Sequence, residues 1–525
     1  MSRIEISKRI VLINTASSSV TLILNFSVLL WLQQYLLKRL SPEEYSLLPV
    51  LMSIIAFAPL ATMFLTQGLG RYITVAYAKG DDAEVSRIYS TMFPILCAAG
   101  IAILGIGCLG AWHIDTLVNV APEFLSDARI MMSLLFFSVA LRITFSLFSS
   151  GFIVTQKMML QDMIDVACQL LRIIILLSLL FGVSTQVIWV VVATVVADVI
   201  NIIVCTIVSL RIFPVQRNII LHYFRIHTAK EITSYGGWGF LQQIARTIKE
   251  SLDPLILNRF ASAVDVSVFY VGGIAARQLG MLLTPLSRPF IPIFGALCAT
   301  EDFTKLRNTY LRTTRYHLWL ILGIAVPAII FSDEVMHLYL DGKYDQAGLI
   351  MAVLLFVIIL NTFNSLGPAI VMAAGQVKEL SLRYLFVQLV NIILTIFLVV
   401  NLQQGALGSA IATLITVAIF ESIFYWPFCR KVAHTSTSQW MREVVFPCIC
   451  SVLPSLVFCL FVKLTVGVDT WLDLILMSLI SSILYFFMIM FFGLRQQDRI
   501  DISRISDRFS GKTKKLVQFF GERDS

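Results

Sequence analysis

Arg246, Lys249, Glu250 and Asp253 stand in the run FLQQIARTIKESLDPL, with Gln242 one turn ahead of them. Spacings of 3, 4 and 7 put the five side chains on one face of a helix. If that face lines a polar passage, Arg246 and Lys249 bind phosphate, and Glu250 and Asp253 balance them or hold a coupling cation, Na+ or H+. If instead the charges pair along the helix, as Arg246–Glu250 and Lys249–Asp253, they only allow it to insert in lipid. Arg277 and Arg288, three turns apart in the next apolar run, also share a face. Arg277 lies deep in that run with no acid at helical spacing. A guanidinium binds phosphate bidentately and keeps its proton, so Arg277 is the first phosphate candidate, with an interfacial or structural arginine as the alternative.

Arg142 and Arg172 occupy comparable places in the first part of the chain, although Arg172 could simply pair with Asp165 or Asp198. Asn14, Ser18, Thr21 and Asn25 form one stripe that suits either a sugar path or helix packing. Asp198 and Glu421 are isolated acids that could titrate, hold Na+ or stay protonated as structural groups. Charges at bilayer depth cost about 2.5–3.5 kcal/mol each on insertion scales, so a run of them calls for a use.

Catalytic chemistry is not expected. There is no P-loop, the six histidines are scattered, and no loop is long enough to build a soluble active site. Cys448 and Cys450 have no His or second Cys pair at metal-ligand spacing. Cys97, Cys108, Cys168, Cys205, Cys298 and Cys459 sit in apolar runs as small core residues. No enzyme, cofactor or metal site follows from these residues.

The elements that position them are dictated by composition. Of 525 residues, 58% are hydrophobic and 14% charged, with a mean hydropathy of +0.84. The bilayer is therefore the solvent for most of the chain. Apolar runs fall near 10–33, 45–66, 88–111, 130–152, 164–182, 186–210, 235–257, 264–287, 316–332, 347–373, 382–400, 405–428, 444–464 and 471–493. A helix needs about 20 residues to cross, and lipid leaves the backbone few other solutions. The reading is an all-α polytopic membrane protein of about fourteen transmembrane helices. The basic start, Met1 to Arg9, leads into an uncleaved first helix.

With both termini cytoplasmic, twenty-eight Lys and Arg residues fall on the inside and five, Lys38, Arg39, Arg259, Lys343 and Lys463, on the outside. That bias is the positive-inside rule at work, so the net charge of +8 reflects topology and nucleic acid is not an expected partner. The tail, with Ile502, Ile505 and Phe509 among basic residues, suits a helix lying on the anionic inner leaflet, or a partner contact. Prolines 49, 59, 94, 285, 289, 292, 327 and 368 mark bends.

The chain also repeats itself. A shift of 220 residues pairs Arg39 with Arg259, Asp82 with Asp302, Arg87 with Arg307 and Gln156 with Gln376. An even number of helices fits in that interval, which gives parallel repeats about an axis along the membrane normal. The expected organisation is a six-helix lobe over 1–210, a basic cytoplasmic linker over 211–234 and a second six-helix lobe over 235–434. Two further helices over 444–493 and a basic cytoplasmic tail over 494–525 complete it.

The stretches NTASSSVTLILNFSVLLWLQQYLLKRLSPEEYSLL (14–48), SLDPLILNRF (251–260), LYLDGKYDQAG (338–348) and AAGQVKELS through GALGSAIATLI (373–415) resemble the polysaccharide flippases of the multidrug, oligosaccharidyl-lipid and polysaccharide exporter superfamily. Ser46 departs from the pattern, which usually has glycine after this tyrosine, and so puts the tightness of a turn there in question. The resemblance implies two six-helix lobes around a central cavity, with two added helices. It also implies translocation of an undecaprenyl-diphosphate-linked oligosaccharide, an O-antigen or exopolysaccharide repeat unit, across a bacterial inner membrane. The partners implied are that lipid-linked oligosaccharide, membrane lipids and the glycan polymerase machinery. A cation-coupled multidrug exporter is the alternative; cationic candidates such as Arg142, Arg172, Arg246, Lys249, Arg277 and Arg288 favour an anionic cargo. A membrane glycan polymerase or ligase would carry a longer outer loop than 332–346.

Overall fold

Apolar runs in lipid satisfy their backbone internally, and the computed structural model is built of helices, with no strand among the described residues. It describes residues 31–66, 69–155, 157–217, 219, 223–234, 237–344, 346–495 and 498. Asn14, Ser18, Thr21 and Asn25, the start Met1 to Arg9, and Ile502, Ile505 and Phe509 lie outside the described residues.

After a helical stretch over 31–39 come α1 (Pro42–Ile55), α2 (Leu60–Thr66), α3 (Leu69–Ala78), α4 (Asp82–Trp112) and α5 (Leu125–Phe145). Next are α6 (Met158–Gly182), α7 (Ile188–Ile212), α8 (Gly237–Phe260), α9 (Ala263–Gly272), α10 (Ile274–Ser287) and α11 (Phe290–Ala299). The chain continues with α12 (Phe303–Ile330), α13 (Ala347–Thr362), α14 (Gly367–Ala373), α15 (Val377–Ile396), α16 (Gly405–Ile415) and α17 (Trp426–Val432). It closes on α18 (Phe446–Thr465) and α19 (Trp471–Met488). Between α16 and α17 the backbone winds as a π-helix over Thr416–Tyr425.

Ten helical segments among the described residues are long and apolar enough to cross a membrane, or eleven if α9 and Ile274–Thr284, bent by 41°, make one broken span. Three of the fourteen expected runs are not among them. Run 10–33 lies almost wholly outside the described residues. Run 45–66 is interrupted by a turn over 56–59 that ends at Pro59, where the chain lacks a backbone donor. Run 235–257 forms α8, whose charges at Arg246, Lys249, Glu250 and Asp253 interrupt any long apolar window.

Caps fix where helices begin. Ser41 accepts the amide of Glu44 at 3.2 Å ahead of α1, with Pro42 in the first turn. Ser262 forms a capping box with Asp265 ahead of α9. Asp81 and Asp302 cap α4 and α12, accepting the amides of Glu84 at 2.8 Å and Lys305 at 3.1 Å. Each of those two follows a left-handed residue, Gly80 at φ 77° and Glu301 at φ 53°. Ser46 lies inside α1, buried, with its hydroxyl donating to the Glu43 carbonyl at 2.9 Å. No turn occurs at Ser46, so its side chain tightens nothing and loosens nothing there.

The helices form two compact units. The first comprises described residues within Met1–Gln278, Tyr339–Leu354 and Gln376–Tyr425. In it α4 packs on α5, α7 on both α5 and α6, α8 on α15, and α9 on α1. The second comprises described residues within Leu279–Leu338, Leu355–Gly375 and Trp426–Ser525. There α12, α18 and α19 pack together, with Phe331, Cys459, Val462 and Val468 at the centre of one cluster. Small polar residues tie these helices: Ser455 and Ser481 share a hydrogen bond of 2.7 Å, and Ser482 donates to the Gly323 carbonyl at 2.9 Å. Arg315, 3% exposed, is held by the fully buried Asp498 through bonds of 2.8 and 2.9 Å.

Candidate functional site

Asp165, Cys168, Gln169 and Arg172 recur at spacings of 3 and 4 along α6, so they share one face, and Asp198 and Asn201 do the same on α7. Packing of α6 and α5 against α7 brings both faces around a pocket of about 320 Å³, lined also by Arg142 and Ala197. Inside it Asp198 uses both oxygens. One accepts from Arg142 Nη2 at 2.7 Å and the other from the Ser138 hydroxyl at 2.8 Å, one helical turn before Arg142. Asn201 donates to Asp165 at 2.8 Å. Arg172 faces Asp198 electrostatically but makes no ion pair within 4.0 Å among the described residues. Arg142 is the most open member, with 64% of its side chain exposed. Two guanidinium groups meet two carboxylates, so the pocket is polar and charge-balanced.

The α8 residues divide between two neighbouring strips. Arg246 and Glu250 form an i,i+4 pair of 2.8 Å that is exposed on both sides, behind a half-buried Gln242. Lys249 and Asp253 turn inward. Lys249 Nζ bonds Glu421 at 2.9 Å, not Asp253, and lies 5.8 Å from the centre of the Tyr384 ring. Glu421 is buried in the π-helix between α16 and α17, a winding that recurs at functional positions. Asp253 is buried against the hydroxyls of Thr395 on α15 and Ser409 on α16.

Arg277 sits one turn into α10, past the 41° bend. A bend frees carbonyls of the preceding turn, and Arg277 Nη2 donates to that of Tyr270 while its guanidinium carbon lies 4.2 Å from the centre of the Tyr270 ring. A Cβ on Gly273 would meet Arg277 Nη1 at 2.4 Å, so only glycine leaves room for the side chain to fold back. Tyr270 in turn meets the ring of Tyr45, whose hydroxyl donates to Gln33. Arg288 lies just beyond the end of α10, exposed. Asn14 and Asn25 lie outside the described residues.

The first unit thus gathers Arg142, Arg172 and Asp198 in one pocket, and Lys249, Glu421 and Asp253 along the inward strip of α8. Sequence reasoning named Asp165 only as a partner and missed Asn201, Gln169, Ser138 and Tyr384. The signal for the first three was present: polar residues at spacings of 3 and 4 inside otherwise apolar helices. Tyr384 gave none, because an aromatic in a membrane helix reads as packing.

Two further contacts join residues from before 210 to residues after 235 within this unit. The Asn119 backbone N–H donates to the Asn258 side-chain oxygen at 2.8 Å, and the Asn119 side-chain amide donates to the Asn258 carbonyl at 2.8 Å. Asn258 returns a bond of 3.0 Å to the Asn119 carbonyl. Lys343 donates to the carbonyls of Leu37 and Leu40, both at 2.8 Å, at the C-terminal end of the 31–39 stretch, where a cation is favourable. Lys38 pairs with Asp341 at 2.8 Å. Burial holds the Lys343 ammonium below the ordinary lysine range and pushes the neighbouring Tyr344 phenol up to about 12.

Residues 8–297 match a family model described as polysaccharide biosynthesis protein. A Vibrio cholerae protein named probable lipid II flippase MurJ is 23% identical over 212 residues, which make up 38% of this chain and 40% of the relative. The chain therefore matches less than half the length of that curated relative. Among solved structures, an inward-facing multidrug resistance MATE family transporter of the MOP superfamily superposes with a TM-score of 0.63 at 16% identity, over 77% of this chain and 93% of the other. Lipid II flippase MurJ in an inward closed conformation gives 0.60 at 15%, over 90% and 99%. A MOP superfamily transporter from Pyrococcus furiosus gives 0.55 at 14%, over 82% and 99%. These likenesses are of fold: the chain is a multi-pass, all-α membrane protein built like these transporters.

Proposed function

The chain belongs to the polysaccharide biosynthesis protein family, and from that premise we propose that it translocates an oligosaccharide linked to a diphosphate lipid across a bacterial inner membrane, by alternating access. The carrying observation is the polar pocket of α5, α6 and α7, where the Arg142 side chain is 64% exposed and, among the described residues, forms an ion pair with Asp198 alone. Asp198 gives Arg142 a single oxygen, its other being taken by Ser138, whereas an arriving phosphate can engage the guanidinium bidentately and carries more charge. Its binding releases Asp198 to take up H+ or Na+. Arg172, which makes no ion pair among the described residues, adds a second cation for the diphosphate. Arg246 and Gln242 extend the polar strip, and Asp253, buried beside Thr395 and Ser409, is a second candidate for the coupling ion. Glu250 and Glu421 neutralise Arg246 and Lys249 in this state. The likeness to the Vibrio cholerae protein named probable lipid II flippase MurJ supports a lipid-linked cargo.

In this reading the lobes 1–210 and 235–434 rock about the linker 211–234, and both termini and the tail 494–525 face the cytoplasm. Glycan polymerase machinery would act on the product. The test is surface glycan in cells that depend on this chain, with protein level checked by blot. Arg142→Gln and Arg172→Gln are expected to lose most of the glycan. Asp198→Asn, which frees Arg142 while removing the titrating group, is expected to block turnover yet retain binding of the lipid-linked substrate. Normal glycan from both arginine variants at normal protein level would defeat the proposal. A multidrug exporter is the second reading, which the MATE fold allows; it requires the same variants to change drug susceptibility and leave glycan intact.

A further inference from the structure

The second unit holds a buried cation to which the described residues supply no counter-charge. Arg430, in α17, is 6% exposed, and among the described residues it makes no ion pair and donates no hydrogen bond, its Nε included. Its guanidinium carbon lies 4.7 Å from the centre of the Trp440 ring. Trp426 and Trp440, with ring centres 6.3 Å apart, are equally buried, and neither indole N–H has an acceptor. The Tyr310 side chain, fully buried on α12 and electrostatically coupled to Arg430, has a hydroxyl without a partner.

A guanidinium taken out of water without a counter-charge is costly, and each unmade buried hydrogen bond adds to that cost. The local inventory is lopsided in a chemically specific way. An indole N–H can only donate, a guanidinium carries five donors and no acceptor, and a tyrosine hydroxyl donates readily. Water would supply acceptors but no negative charge. A small oxyanion supplies both, and a phosphate group matches the arginine fork best.

We propose that Arg430, Trp426, Trp440 and Tyr310 form a binding site for a phosphate group, separate from the residues of the α5–α6–α7 pocket and of α8. Bound there, the phosphate would tie α12 and α17 to the short helix Thr437–Trp440 and complete the hydrogen bonds of all three. The phosphate can come from solution or from the headgroup of a phospholipid. The inference needs no transport activity and stands apart from the proposed function.

The experiment uses the full chain, purified in a phosphate-free maltoside detergent and stripped of lipid. Thermal unfolding is followed with added inorganic phosphate in one arm and with phosphatidylglycerol in mixed micelles in the other. Stabilisation by inorganic phosphate assigns the site to the soluble ion; stabilisation by phosphatidylglycerol alone assigns it to a headgroup. In either case Arg430→Met is expected to weaken the apparent affinity about tenfold or more, with Arg430→Lys in between. Should Arg430→Met not fold, Tyr310→Phe and Trp440→Phe keep the rings and remove single donors, and both must weaken binding. No stabilisation of the unaltered protein in either arm, or equal stabilisation of the variants, overturns the site.

Discussion

A buried lysine held by a buried carboxylate tests how this chain tolerates charge in lipid. Lys249 and Glu421 meet at 2.9 Å with side chains 22% and 4% exposed. Removing one partner leaves the other charged and unsolvated, a loss of about 3–5 kcal/mol, whereas removing both together is often nearly neutral. Lys249→Met and Glu421→Gln are therefore each expected to lower the unfolding temperature in detergent, and the double variant to recover most of the loss. Additive losses in the double variant would show that the two residues do not act as a pair. This pairing was not legible in the sequence, because 172 residues separate the partners and helical spacing offered Asp253 first. Arg246–Glu250 was legible, since an i,i+4 pair needs only the helix to exist. Arg142–Asp198 lies between: both residues were marked, but only the packing of α5 on α7 could join them.

At the scale of elements, two of the contacts that join the first and second sequence halves test whether those halves part during transport. Asn119 and Asn258 exchange three hydrogen bonds between a loop and the end of α8, and Lys343 caps the 31–39 helical stretch. Under the positive-inside assignment Lys38, Arg259 and Lys343 all face outward, so both contacts close the outer side. Locking one should trap that state. In a background without the nine native cysteines, oxidation of an Asn119→Cys, Asn258→Cys double variant is expected to abolish surface glycan delivery, and reduction to restore it. Undiminished delivery by the fully cross-linked protein would mean that this contact does not open in the cycle. The elements themselves were largely readable from hydropathy. What hydropathy could not see was the turn at 56–59, the 41° bend between α9 and α10 and the π-winding around Glu421, all of them local departures inside runs of unchanged apolar character. Two pairs of helix caps, Ser41 and Ser262, and Asp81 and Asp302, lie 221 residues apart, one more than the shift of 220 read from the sequence. A side-chain match scores residue types, whereas a cap is defined by which oxygen reaches the first amides of the helix.

For the whole molecule, orientation is the property on which every functional statement depends, because a flippase acting inward to outward must present its substrate pocket to the cytoplasm first. Composition gives the argument its strength: twenty-eight basic residues against five would have to be placed on the wrong side by any inverted arrangement. A juxtamembrane Lys or Arg near an anionic cytoplasmic leaflet gains about 1 kcal/mol, so the sum strongly favours one orientation even if several residues contribute nothing. Lys305 and Asp469 make suitable reporters. Lys305 is largely exposed at the start of α12, and Asp469 is exposed in the turn between α18 and α19. In the same cysteine-free background, Lys305→Cys is expected to react with a membrane-impermeant maleimide only in inside-out vesicles, and Asp469→Cys only in intact spheroplasts. The reverse pattern would turn the outer contacts into inner ones and require transport in the opposite sense. Labelling of both from one side would mean that the number of spans between α12 and α19 is odd where the charge distribution requires it to be even.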